Sequence, residues 1–194
     1  MTIAYLYPSE DIDFGTYVTN YPEIYGAGTF HEAVDDPVNA PDDDITYISI
    51  VNSEGFVDLG CYLPNDIHIE SIEYVRFWLR GARSSQPNDQ ARTWVHVTLN
   101  YPISNVHYDD NKIISIYSFY PNYETRASAI FYNNPATGQP WIIADLNPLA
   151  FRIYLETVVG GGVTEPARVT QAYVELSYNP APFNNAGPFL LINL

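Results

Sequence analysis

Glu156 and Glu175 are the two carboxylates whose setting invites acid–base chemistry. Each ends an alternating run, Phe151-Arg-Ile-Tyr-Leu-Glu156 and Ala172-Tyr-Val-Glu175, on the row opposite the aliphatic residues. A glycosidase needs two carboxyl groups about 5–10 Å apart across a sugar, and the two can come from different strands. No other feature supports a hydrolase. A Gly-x-Ser-x-Gly elbow, a phosphate-binding glycine loop and a His-Glu-x-x-His pair are all missing. The histidines, His31, His68, His96 and His107, are too scattered to form a local metal site. The chain therefore reads as non-enzymatic, with a glycoside hydrolase as the weakest alternative. The acidic stretch Asp35-Asp36 and Asp42-Asp-Asp44 offers the hard oxygen ligands that Ca²⁺ prefers, although without the regular spacing of a calcium loop. Calcium at Asp42, Asp43 and Asp44 is the one cofactor the sequence raises, set against a plain solvated loop.

Aromatic rings and charges recur together on the polar rows of four runs. Successive side chains of a strand point to opposite faces, so each run divides into an inner and an outer row. Tyr74, Arg76, Trp78 and Arg80 oppose Val75, Phe77 and Leu79, while Trp94 and His96 oppose Val95, Val97 and Leu99. Arg152, Tyr154 and Glu156 oppose Phe151, Ile153 and Leu155, and Gln171, Tyr173 and Glu175 oppose Ala172, Val174 and Leu176. If these runs share one sheet, they present a broad aromatic and charged face. Three readings fit such a face. It is a solvated surface laced with cross-strand pairs worth about 0.2–1 kcal/mol each, or a protein contact, since Tyr, Trp and Arg concentrate at interface centres. The third is a carbohydrate-binding surface, with Trp78, Trp94, Tyr154 and Tyr173 stacking on sugar rings and Arg, Gln and Glu bonding to hydroxyls.

Charge decides against one class of partner. With 23 acidic and 8 basic residues, Lys112 the sole lysine, the net charge is −15, and a nucleic-acid backbone is repelled. The single cysteine, Cys61, excludes an internal disulfide and its apolar flanks suit a core thiol. No segment approaches the ~20 apolar residues of a membrane helix, and the first residues lack the basic and apolar regions of a leader. The sequence thus argues against membrane anchoring and export.

The elements that must carry these rows are strands. Eight runs are predicted, over Thr46 to Val51, Phe56 to Tyr62, Ile67 to Ala82, Arg92 to Tyr101, Ile113 to Phe119, Arg126 to Tyr132, Leu149 to Val158 and Arg168 to Tyr178. Turn-forming clusters such as Asn52-Ser-Glu-Gly55 and Pro64-Asn-Asp66 separate them. The fold class is all-β, a two-sheet antiparallel jelly-roll sandwich of about eight strands, with one short helix between Thr137 and Pro148. Residues 1–41 read as an irregular arm with one short strand near Gly28 to Val34, residues 42–178 as the sandwich, and residues 179–194 as an extended arm. Phe183, Phe189, Leu190, Leu191, Ile192 and Leu194 make that last arm apolar, and burying each Leu or Ile is worth about 1.5–3 kcal/mol, so it is expected to dock.

Several segments together resemble a family of small β-sandwich proteins of tailed phages and prophages. They are Pro41-Asp-Asp-Asp-Ile-Thr-Tyr-Ile48, Arg80-Gly-Ala-Arg83, Tyr132-Asn-Asn-Pro-Ala-Thr-Gly-Gln-Pro-Trp141, Asp145-Leu-Asn-Pro-Leu149 and Arg168-Val-Thr-Gln-Ala-Tyr-Val-Glu175. The resemblance implies a virion structural protein, a capsid decoration or otherwise a tail component, and it brings no catalytic residue. On this expectation the arms and sheet faces hold the chain to other virion proteins or to copies of itself, and a host glycan is a further partner.

Overall fold

The computed structural model describes residues 1–12, 23–50, 53–83, 93–99, 114–118, 121–157 and 167–182. Eleven strands are present among them: β1 (Thr2–Leu6), β2 (Pro8–Asp11), β3 (Glu23–Tyr25), β4 (Tyr47–Ile50), β5 (Ser53–Cys61), β6 (Ile69–Ala82), β7 (Thr93–Leu99), β8 (Ile114–Ser115), β9 (Glu124–Ala127), β10 (Leu149–Thr157) and β11 (Ala167–Pro180). Seven of the predicted runs correspond to β4 through β8, β10 and β11, while the eighth, Arg126 to Tyr132, overlaps β9 only at Arg126 and Ala127. Their pairing is antiparallel throughout, β4 with β11, β5 with β10, β6 with β9 and β7 with β8, like the rungs of one long hairpin. Folding that hairpin back on itself adds the pairs β6 with β11 and β7 with β10. The result is a jelly roll with sheet orders β4-β11-β6-β9 and β5-β10-β7-β8.

Alternation explains the core. Val75, Phe77 and Leu79 from β6, Val174 and Leu176 from β11, and Leu59, Phe151, Ile153 and Leu155 from the other sheet are all buried between the layers. Phe77 meets Phe151 edge to face, with ring centroids 5.9 Å apart, so one aromatic contact ties the two sheets together. Cys61 is buried, as its flanks implied, and burial pushes its thiol well above the usual range.

The amino-terminal segment differs from expectation. β1 pairs with β11 from Thr2 opposite Tyr178 to Leu6 opposite Val174, β2 adds to the edge of β5, and β3 adds to β4. Thr2-Ile-Ala-Tyr-Leu6 alternates like the other strands, and Leu6 is buried in the common core. Gly28 to Val34, where a strand was expected, forms turns instead. The Asp11 carboxylate accepts bonds from the Phe30 and His31 amides at 3.0 and 2.7 Å and pairs with the His31 ring at 3.0 Å, which curls the backbone there. The docking residues Phe183, Phe189, Leu190, Leu191, Ile192 and Leu194 lie outside the described residues.

The helical signal resolves to a single 3-10 turn, Ile143–Leu146, with the Asp145 carboxylate accepting the Ile142 amide at 3.1 Å. Before it, Gly138 takes φ +69° to close the Asn134 turn. Trp141 then buries its ring and donates its indole N–H to the Phe131 carbonyl at 2.8 Å.

Because Leu6 shares the sandwich core, Leu6→Ala is expected to cost about 2–5 kcal/mol in urea unfolding. A cost below about 0.5 kcal/mol, the range of surface substitutions, would show the first strand to be loosely attached.

Candidate functional site

The four aromatic and charged rows do not share a sheet. β6 and β11 are neighbours in one sheet and β7 and β10 in the other, so the rows divide between opposite outer faces of the sandwich. The jelly roll enforces this, because from β4 to β11 every connection except that between β7 and β8 passes from one layer to the other. Glu156 on β10 and Glu175 on β11 consequently belong to different sheets, so the backbone splits the carboxylate pair that the sequence singles out between the two layers.

The face of β10 is held by an ion pair. Arg152 binds both oxygens of Asp58 at 2.7 Å, and its guanidinium carbon lies 3.5 Å from the Phe56 ring centroid. This bidentate, stacked geometry uses up the planar fork of the arginine. Tyr154 sits opposite Phe56 and His96, and Glu156 opposite Glu54 and Trp94. The side chains of Trp94, His96 and Glu156 lie outside the described residues.

The face of β11 and β6 is built differently. Backbone register sets up cross-strand rows, with Ile3, Ser177 and Tyr74 in one, Tyr5, Glu175 and Arg76 in the next, and Tyr173 with Trp78 in a third. Glu175, only 8% exposed, accepts the Tyr74 hydroxyl at 2.8 Å and the Trp78 indole N–H at 2.9 Å, one on each oxygen. A carboxylate this buried needs such donors, and its two oxygens still have acceptor capacity to spare. Arg76 lays its guanidinium over Trp78, 4.8 Å from the ring centroid, and donates Nε–H to the Ser128 carbonyl at 3.2 Å.

Which rings face water also differs from expectation. Tyr173 is 3% exposed, stacked at 5.8 Å on Trp78 and met edge-on by Tyr5 at 5.7 Å. Trp78, between Tyr173 and Arg76, is only partly accessible. The accessible rings are Tyr5, 43% exposed, and Tyr132, 67% exposed and 6.4 Å from Tyr74. Tyr5 was missed because its segment carries Pro and Gly soon afterwards, yet the alternation of residues 2–6 marks it. Tyr132 falls at the end of a predicted run, beside a turn that draws attention away from the ring.

Arg80 and Gln171 are absorbed elsewhere. Gln171 donates to the carbonyls of Asp36 and Pro37 at 2.9 and 2.8 Å, clamping the amino-terminal segment to β11. Arg80 grips both oxygens of Asp43 at 2.6 and 2.5 Å, Arg168 binds Asp44 at 2.7 Å, and Asp42 accepts the Thr46 amide at 3.0 Å. The acidic loop is thus a set of anchors to β6 and β11. Among the described residues no group of three or more His, Cys, Asp or Glu is placed to hold a metal ion.

The buried tyrosines register in their acidities. Burial, assisted by Tyr5 and Tyr7, pushes Tyr173 up to about 12. The bond to Glu175, and then burial, raises Tyr74. Both hydroxyls ionise more easily in the unfolded chain, so the unfolded state binds fewer protons at alkaline pH and stability falls as pH rises. The melting temperature is expected to drop between about pH 10 and pH 12, and Tyr173→Phe to flatten that drop. An unchanged alkaline profile in Tyr173→Phe would contradict this assignment.

No family model matches the chain, and no curated protein does. Among solved structures, the CBM36-1 domain of a multidomain xylanase from the hindgut metagenome of Trinervitermes trinervoides matches with a TM-score of 0.40 and 12% identity, over 93% of this chain and 100% of that one. The expected role as a virion structural protein, in capsid decoration or tail, is corrected here. The matched protein is a domain of a xylanase rather than a virion component. Residues 2–11, part of the irregular arm expected to hold neighbouring subunits, pair with the chain's own sheets.

Proposed function

We propose that this chain is a non-catalytic carbohydrate-binding module whose ligand lies on the outer face of β1, β11 and β6. The observation that carries this reading is the pair of exposed rings, Tyr5 and Tyr132, on either side of Glu175 and Arg76. A sugar offers an apolar C–H face and a rim of hydroxyls. The rings bury the first, while the carboxylate and guanidinium bond to the second. Glu175 is already fixed by Tyr74 and Trp78, so little ordering entropy is lost on binding.

Affinity electrophoresis through gels containing soluble polysaccharides tests this. Retardation is expected for the wild type, with a loss of at least about tenfold in affinity, or ~1.4 kcal/mol, in the Tyr5→Ala/Tyr132→Ala double variant. Tyr154→Phe, on the opposite face, is expected to bind normally. Silence across the polysaccharides, or full retention by the double variant, would overturn the reading.

A second reading is favoured by Ile3, an exposed aliphatic residue in the row beside Tyr5. On that reading the same face joins two copies of the chain. Sedimentation equilibrium separates the two, because the carbohydrate-binding reading expects a monomer that binds sugar.

The Asp42-Asp-Asp44 loop serves this function as a brace held by Arg80 and Arg168, with no calcium required. EDTA is expected to leave both the melting temperature and polysaccharide retardation unchanged. A fall in either, restored by Ca²⁺, would place a cation in that loop.

A further inference from the structure

Resting on that reading, we infer that the ligand is an uncharged, extended oligosaccharide that crosses the strands from Tyr5 to Tyr132, and that a single sugar does not suffice. Tyr5 lies on β1, which pairs with β11, which pairs with β6. Beyond β6, Phe131 exchanges two backbone bonds with Val75 at 3.0 and 2.9 Å, which places Tyr132 in a fourth parallel track beside Tyr74. Three strand spacings separate the outer tracks, a span of about 14 Å. One sugar ring cannot touch both tyrosines. A chain resting on both runs obliquely across the face, from the row of Tyr5, Glu175 and Arg76 to the next row, where Tyr74 stands beside Tyr132.

Charge narrows the class. The face between the tyrosines carries one cation and one anion, Arg76 and Glu175, so it favours neither sign locally. The chain as a whole carries −15, which repels uronate-rich or sulfated polymers. A cationic amino sugar meets the guanidinium of Arg76 on this face, and Glu175, in register with Arg76 and bonded to Tyr74 and Trp78, is already balanced. A neutral polymer with regularly spaced hydroxyls avoids both penalties.

Titration calorimetry with neutral β-linked oligosaccharides of increasing length, alongside polygalacturonate and chitosan oligomers, tests the inference on the intact chain. Affinity is expected to rise at least about tenfold between the monosaccharide and the tetramer and then level off. It is expected to change little with added salt, since no charges are neutralised. Tyr5→Ala and Tyr132→Ala should each flatten the length dependence. A monosaccharide that binds as tightly as the tetramer, or a charged oligomer preferred in a salt-dependent way, overturns this inference while leaving the tyrosine platform in place. Failure of every oligosaccharide to bind overturns the proposed function itself.

Discussion

Strand β11 runs for 14 residues with β6 along one edge and β1 and β4 along the other, and both of its faces are shielded. On the inner side Val169, Ala172, Val174 and Leu176 enter the core. On the outer side Arg168, Thr170, Gln171, Tyr173, Glu175 and Ser177 are also buried, beneath the amino-terminal segment and the ring row of β6. Polar groups in such a position are costly unless bonded, and most of those near β11 find partners across at least one strand. The amino-terminal strands, the acidic loop and the ring cluster are all arranged around this demand.

The solutions differ along the strand. At the Arg168 end the demand is met by opposite charge, with Asp44 bound to Arg168, Asp43 bound to Arg80 and Thr170, and Tyr47 stacked under the Arg168 guanidinium. In the middle, Gln171 bonds to two backbone carbonyls and so pins the segment that contains Val34. At the Glu175 end the partners are neutral donors, Tyr74 and Trp78. That last arrangement leaves a carboxylate with spare acceptor capacity beneath a face that is only partly covered. The same physical requirement that closes the strand elsewhere is met at this point by two neutral donors, and this is the stretch to which the proposed ligand is assigned.

The strands were legible because alternation is strong wherever one face is buried. Val75, Phe77 and Leu79 could be placed inward without any knowledge of partners. Which strands share a sheet was not legible, because period two records a face but not a neighbour, and this separated Arg152 and Tyr154 from Tyr173 and Glu175. Trp78 and Tyr173 were correctly placed on an outer row, yet sequence gave no sign that they would stack on each other and leave the exposed role to Tyr5 and Tyr132. Asp43 and Asp44 looked like cation ligands for a similar reason: their arginine partners lie 37 and 124 positions away.

Chemical-shift mapping of the intact chain with a neutral oligosaccharide addresses the binding face directly, since it reports on both sides of the sandwich at once. The account predicts perturbations centred on the Trp78 indole N–H and the amides of Tyr5, Tyr74 and Tyr132. Perturbations centred instead on Phe56, Arg152 and Tyr154, or none at all, would contradict it.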